Sequence, residues 1–173
     1  MSANALAAIL LAARLADVVS TRIATPRLQL EANPVVRLLG WRFAWATLLV
    51  CFVAYIPDYG PSLAVPLIVI SFLVASSNLS RGWAMRALGE DAYQEHSLRV
   101  ASLAVPLHVY LMIAASGALT AGVGALLLVF YPEPTEWAYQ FGVGIIGYAL
   151  AVWFYSTLGV RRLFRAVANA SRT

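Results

Sequence analysis

Asp17 stands three residues after Arg14 and four before Thr21, inside a segment, residues 4–24, that otherwise reads as a membrane-spanning helix. A charge placed in hydrocarbon costs roughly 2.5–3.5 kcal/mol on insertion scales, so such a residue faces a bundle interior and has a partner or a task. At about 3.6 residues per turn the spacing puts Arg14, Asp17 and Thr21 on one stripe, continued by Leu10 and flanked by Ser20. Two chemistries fit that stripe. The guanidinium and carboxylate can neutralise each other so that the helix inserts and packs, or the carboxylate can hold a ligand, a proton or an ion. Counted back from a boundary near Ala24 at about 1.5 Å per residue, Asp17 lies about 10 Å deep.

His108 is the second ionisable candidate. The fourth apolar segment starts near Val100, which puts the imidazole about 12 Å in, at the level of Asp17. A carboxylate and an imidazole at one depth could share a proton near neutrality, although a lone membrane histidine also serves as an interhelical hydrogen-bond partner.

The connection after the first helix, Thr25-Pro-Arg-Leu-Gln-Leu-Glu-Ala-Asn-Pro34, carries Glu31 and Asn33. Asn33 before Pro34 is a helix-start signal: the side-chain amide caps free N–H groups, and proline at the first position has none to leave unbonded. Capping does not account for Glu31, which could complement the positive helix end, pair with Arg37 or reach back toward Asp17 to hold a cation. Ser76, Ser77, Asn78, Ser80 and Arg81 form a polar cluster at the end of the third apolar segment. With Asp17 and Glu31 they could line a small vestibule, or they are simply the water-facing end of that helix. The candidate ligand- or ion-binding residues are therefore Arg14, Asp17, Thr21, Glu31, Asn33 and Asn78, with Asp17 and His108 the pair to which acid–base work would fall.

Asp17-Val-Val-Ser20-Thr21 followed by Glu31-Ala-Asn33-Pro34 resembles the signature of a family of small prokaryotic membrane proteins of uncharacterised activity. That family has an Asp and Ser/Thr on the first helix, then Glu-x-Asn-Pro before the second. The resemblance covers roughly residues 10–40 and implies that Asp17, Thr21, Glu31 and Asn33 are shared polar positions; it implies no activity. Arg14 and the long final helices are read as particular to this chain.

These residues need a scaffold, and composition indicates its kind. Of 173 residues 61% are hydrophobic and 12% charged, with mean hydropathy +0.77, against about 25% charged in a soluble domain. The expected fold is an all-α polytopic transmembrane bundle of five spans, about 4–24, 34–56, 62–79, 100–131 and 137–158; the alternative is four spans with the first helix lying at the interface. Pro66 within the third span is tolerable where neighbouring helices accommodate it. Residues 80–99, with Trp83, Met85, Leu88 and Tyr93 among charges, read as a surface-lying helix, and residues 159–173 as a basic tail. No basic region precedes residues 5–13 and Arg14 follows them, so the first helix is expected to be kept rather than cleaved as a signal.

All twelve basic residues are arginine, a lineage bias rather than a site, since selection for bidentate pairing would not remove every surface lysine. Eleven of them flank the first and third connections or follow the last helix, and none lies in the second or fourth. By the positive-inside rule this puts the N-terminus outside and the C-terminus in the cytoplasm of a cell inner-membrane protein. The same placement argues against nucleic-acid binding despite a pI near 9.6, because the arginines border apolar segments. It also discounts the glycosylation triplets Asn78-Leu-Ser80 and Asn169-Ala-Ser171.

Cys51 is the only cysteine and rules out an internal disulfide. Metal-ligand, nucleophile-elbow and phosphate-loop motifs are absent, so no metal site or cofactor is assigned. Gly142-Val-Gly144-Ile-Ile-Gly147 has the letters of a dinucleotide fingerprint but no strand before it; it reads as a packing surface, as do Gly117, Ala121, Gly122 and Gly124, within the chain or against a second copy or larger complex. Trp137, Trp153, Tyr131, Tyr139 and Tyr155 read as interfacial belts. The function expected is a non-enzymatic membrane module that binds a ligand, ion or partner at a polar cluster near the cytoplasmic face, or an accessory subunit. The rival is an intramembrane enzyme or proton-coupled carrier using Asp17 and His108.

Overall fold

The computed structural model describes residues 1–31 and 33–170; Ala32 of the Glu31–Pro34 motif, Ser171 of the second glycosylation triplet and the end of the basic tail lie outside the described residues. Among these the chain is all-α: α1 (Ala3–Ala24), α2 (Pro34–Ala46) running into a 3-10 stretch (Thr47–Tyr55), α3 (Gly60–Leu88), α4 (Glu90–Leu103), α5 (Pro106–Phe130) and α6 (Trp137–Ala170). Five of these units are long and apolar enough to cross a membrane.

Local chemistry sets the boundaries. Ser2 Oγ accepts from Ala5 N to start α1, and Asn33 Oδ1 accepts from Val35 N at 2.9 Å to start α2 with Pro34 in its first turn. Proline also opens α3 and α5, where its missing N–H has no intrahelical partner to lose. Gly89, at φ 79°, ends α3 in a conformation that suits a residue without Cβ. Gly40, at φ 72° and ψ −166°, breaks the second span into two differently directed pieces.

α1, α3 and α6 run parallel, side by side. Arg14 meets Ser71 and Thr21 meets Asn78 at the same sequence offset, and Ala24 packs beneath Gly82. That register holds for more than two turns and makes α1 a partner of the long α3 along its length, unlike the alternative of a helix lying apart at the interface. A second register ties α3 to α6: Ser62 to Gln140, Pro66 and Val69 to Gly144, Ile70 to Gly147. Pro66 is thus buried against a glycine. α5 lies antiparallel on α6, with Gly124 against Gly142, Gly117 against Trp153 and Tyr110 against Phe164. A Cβ on Gly124 would lie 2.7 Å from the Gly142 carbonyl oxygen, so this pair permits a backbone approach no larger residue allows. The glycine run is a packing surface; Gly122 faces open space.

The bundle has two unlike halves. Leu6, Leu10 and Ala13 of α1 join Ala54, Ala64, Val65 and Ile68 in a dry apolar core at one end. The other end holds the arginine-rich connections and the polar groups. Two helix junctions differ from the sequence reading, and so does the end of the last helix. α3 continues through Trp83 and Met85 to Leu88, so residues 80–88 extend a spanning helix and the separate short helix is α4 alone. Residues 100–103 close α4, and the fourth span begins at Pro106. Both follow from Gly89 and Pro106, which interrupt the helix where the hydropathy pattern alone shows no break. The last helix likewise runs past Leu158 to Ala170, straight through Gly159, whose backbone stays helical.

Candidate functional site

Arg14 sits where the dry core gives way to the polar half. One nitrogen, Nη1, donates to Asp17 Oδ2 and reaches Ser71 Oγ at 3.3 Å; the other, Nη2, donates to Thr47 Oγ1 at 2.7 Å. Thr47 Oγ1 donates in turn to the Ala44 carbonyl. One guanidinium therefore ties α1 to the 3-10 stretch and to α3, and its side chain and that of Asp17 are 18% and 14% exposed. The single contact of Arg14 with Asp17, at once ion pair and hydrogen bond, is made through Oδ2.

One turn further along, Asn78 Nδ2 donates to Thr21 Oγ1 at 2.9 Å and approaches Ser20 Oγ, which itself donates back to the Asp17 carbonyl. The three sequence-expected residues of α1 and Asn78 of α3 are thus one hydrogen-bonded strip. It forms a wall of a cavity of about 320 Å³ that also receives Glu31 and Asn33 from the connection, Ser77 and Arg81 from α3, and Tyr148, Tyr155 and Ser156 from α6. Val36, Phe43, Ile70 and Val152 supply an apolar side. The connection is held in place by Glu31 Oε1, which accepts from Asn33 N at 2.8 Å. Trp41, just after the Gly40 break, donates from its indole to the Pro26 carbonyl at 2.9 Å, and its ring lies 5.1 Å from the Arg22 guanidinium. That places an aromatic side chain on the cavity wall with a cation–π contact behind it.

All six candidate binding residues line this cavity, as do Ser77 and Arg81 of the polar cluster, whereas Ser76 and Ser80 do not. Ser80 Oγ bonds back to the Ser77 carbonyl, as a serine in a helix commonly does. His108 is a correction: it is exposed in the first turn of α5, does not line the cavity, and its helix packs on α6 rather than on α1. Equal depth placed it at the level of Asp17 but on a different side of the bundle. Tyr155 is a second correction, since it lines the cavity rather than a lipid-facing belt. Among the described residues no cluster of three His, Cys, Asp or Glu side chains is placed to hold a metal ion.

Several polar partners escaped the sequence reading. Thr47 and Ser71 each lie in an apolar run where single hydroxyls carry no signal. Glu90 is 6% exposed and accepts from Arg27 N at 2.6 Å and Gln29 N at 3.2 Å, so α4 fastens the connection that bears Glu31 and Asn33. Leu28 between those two amides has φ 58° and is buried, a conformation uncommon for a branched residue and held here by Glu90 on both sides. The helix-terminal position of Glu90, just after a glycine, was the available hint. Compared with protein-family models, curated proteins and solved structures, the chain shows no significant match to any of them.

Proposed function

We propose that this chain is a non-enzymatic integral membrane module that holds a small polar ligand in the Asp17–Asn78 cavity, near the cytoplasmic face of a cell inner membrane. One observation carries the reading: polar side chains from α1, the α1–α2 connection, α3 and α6 converge on a single cavity with an apolar flank. Such a combination is the usual form of a small-molecule site, and a structural ion pair alone does not need it. The orientation rests on the arginines that flank the first and third connections and follow the last apolar segment in the sequence. Arg14 acts as a positioning residue, fixing Asp17 against α1 while Thr21, Asn78, Glu31 and Arg81 offer donors and acceptors to the ligand. Membrane lipid is the surrounding medium. Glycine- and alanine-rich faces of α5 suit a second copy or a larger complex in which the chain would serve as an accessory subunit.

A proton-coupled role for Asp17 draws support from the place of its side chain on the cavity wall, with its one contact to Arg14 made through Oδ2. In that reading Asp17→Asn binds ligand but no longer couples its movement to protons.

The test is purification in mild detergent followed by native mass analysis. A stoichiometric small molecule that is lost from Asn78→Ala supports the cavity; a stoichiometric protein partner with no small molecule supports the accessory role and overturns the ligand reading.

A further inference from the structure

We infer that the ligand of the Asp17–Asn78 cavity is a small zwitterion of the apolar α-amino acid class, its ammonium held by Asp17 and Asn78 and its carboxylate by Arg81, an inference that rests on that cavity being a ligand site. Arg14 bonds to Asp17 through Oδ2 alone, and among the described residues Asp17 Oδ1 has no hydrogen-bond partner. Asn78 is in the same position. Ser20 Oγ donates its hydrogen to the Asp17 carbonyl and so presents a lone pair to Asn78 Nδ2. That fixes the amide with Nδ2 toward α1 and leaves its Oδ1 without a partner among the described residues. Neither oxygen is sealed in the protein interior, so both open on the cavity that their residues line. Two acceptors, one of them charged, call for a group that only donates. An ammonium has three N–H donors and no acceptor.

The opposite charge stands further along the same cavity. Arg81 lies three residues beyond Asn78 on α3, about 4.5 Å further along the helix axis, and lines the cavity. Its guanidinium makes no ion pair or hydrogen bond with any described residue, and a planar guanidinium matches the two oxygens of a carboxylate. Arg14 has Nη1 and Nη2 both bonded within the protein, so Arg14 is the fixed counter-charge of Asp17 and Arg81 the cation left for a ligand. Glu31 is bonded to the Asn33 amide and supports the connection. A zwitterion brings one charge of each sign to a partner of opposite sign and adds no net charge to a partly buried site, whereas a lone ammonium would meet Arg81 and a lone carboxylate would meet Asp17. Phe43, Ile70 and Val152 give the cavity an apolar side, where a hydrocarbon side chain gains by leaving water. A volume of about 320 Å³ is near the lower end of the range for small-molecule sites and suits a ligand of amino-acid size.

The experiment uses the full chain in neutral detergent. The probes are L-leucine and L-phenylalanine, their carboxamides, which keep the ammonium and lose the carboxylate, and their deaminated acids, which keep the carboxylate and lose the ammonium. Binding is read by native mass analysis and by the shift in Tm. At least one of the two amino acids is expected to bind at one per chain, about tenfold or more tighter than its carboxamide or its deaminated acid, as follows from losing a hydrogen bond between charged groups. Equal binding of either truncated form overturns the zwitterion assignment, as does failure of both amino acids to bind at millimolar concentration. Arg81→Gln should weaken the amino acid by about tenfold and leave its carboxamide within about twofold, while Asn78→Ala should weaken both. Arg86→Gln removes one charge from an exposed position of the same helix outside the cavity and should leave both within about twofold. Equal loss in the Arg81 and Arg86 variants overturns the role given to Arg81. The comparison among probes needs no variant to fold. If the natively purified protein carries a small molecule that is lost from Asn78→Ala but no amino acid binds, the zwitterion assignment fails and the ligand site stands; if neither a native molecule nor any probe is bound, both fail.

Discussion

Arg14 Nη2 donates to Thr47 Oγ1 at 2.7 Å while Nη1 of the same group holds Asp17, so the residue that neutralises the buried carboxylate also joins two spans. The pair is both a means of inserting α1 and a wall of the cavity. The two roles separate under substitution.

Arg14→Ala leaves Asp17 without its counter-charge and removes the links to Thr47 and Ser71. Breaking a buried pair on one side costs about 3–5 kcal/mol, so unfolding in detergent should shift by that order. Replacing Arg14 and Asp17 together by apolar residues should cost clearly less than the two single changes summed. Additive losses would show that the pair has no coupling.

Asn78→Ala removes an interhelical hydrogen bond that, by comparison with other membrane proteins, is worth about 0.6 and at most about 1.7 kcal/mol. Stability should change little, while ligand retention should fall sharply. A variant that is folded and fully liganded would remove Asn78 from the binding surface.

Glu90→Ala releases the amides of Arg27 and Gln29 and the left-handed turn at Leu28. Loss of hydrogen bonds to a carboxylate costs about 1.5–3 kcal/mol, here localised to the connection. Hydrogen exchange at residues 27–33 should accelerate while α3 and α6 keep their protection; uniform acceleration would place the effect elsewhere.

His108→Gln should leave ligand retention and its pH dependence unchanged, because the imidazole is exposed on α5 and outside the cavity. A profile near neutrality that disappears with this change would restore the proton-sharing role to it.

Gly142→Leu forces a branched side chain into the Gly124 carbonyl and Leu127. Overpacking of this kind typically costs 1–3 kcal/mol, so roughly that loss is expected. It should appear as separation of α5 from α6 in cross-linking, with the contacts of α1 to α3 intact.

The all-α class and the five apolar segments were legible in the chain because a bilayer demands long uninterrupted apolar helices, and that demand is written residue by residue. The stripe of Arg14, Asp17 and Thr21 was legible for a related reason: helical periodicity alone puts the three on one face. Asn33 could be read as a cap from its neighbour Pro34, and Asn33 Oδ1 does accept from Val35 N. Which helices stand beside α1 was decided only in three dimensions. Hydropathy gives depth along the membrane normal but no position around the bundle, so His108 matched Asp17 in level and still lies elsewhere. Thr47, Ser71, Tyr155 and Glu90 became part of the site or its support through the register of α3 and α6 and the turn at Gly89. Those are set by how small residues let backbones approach, a property of pairs of helices that no single segment carries.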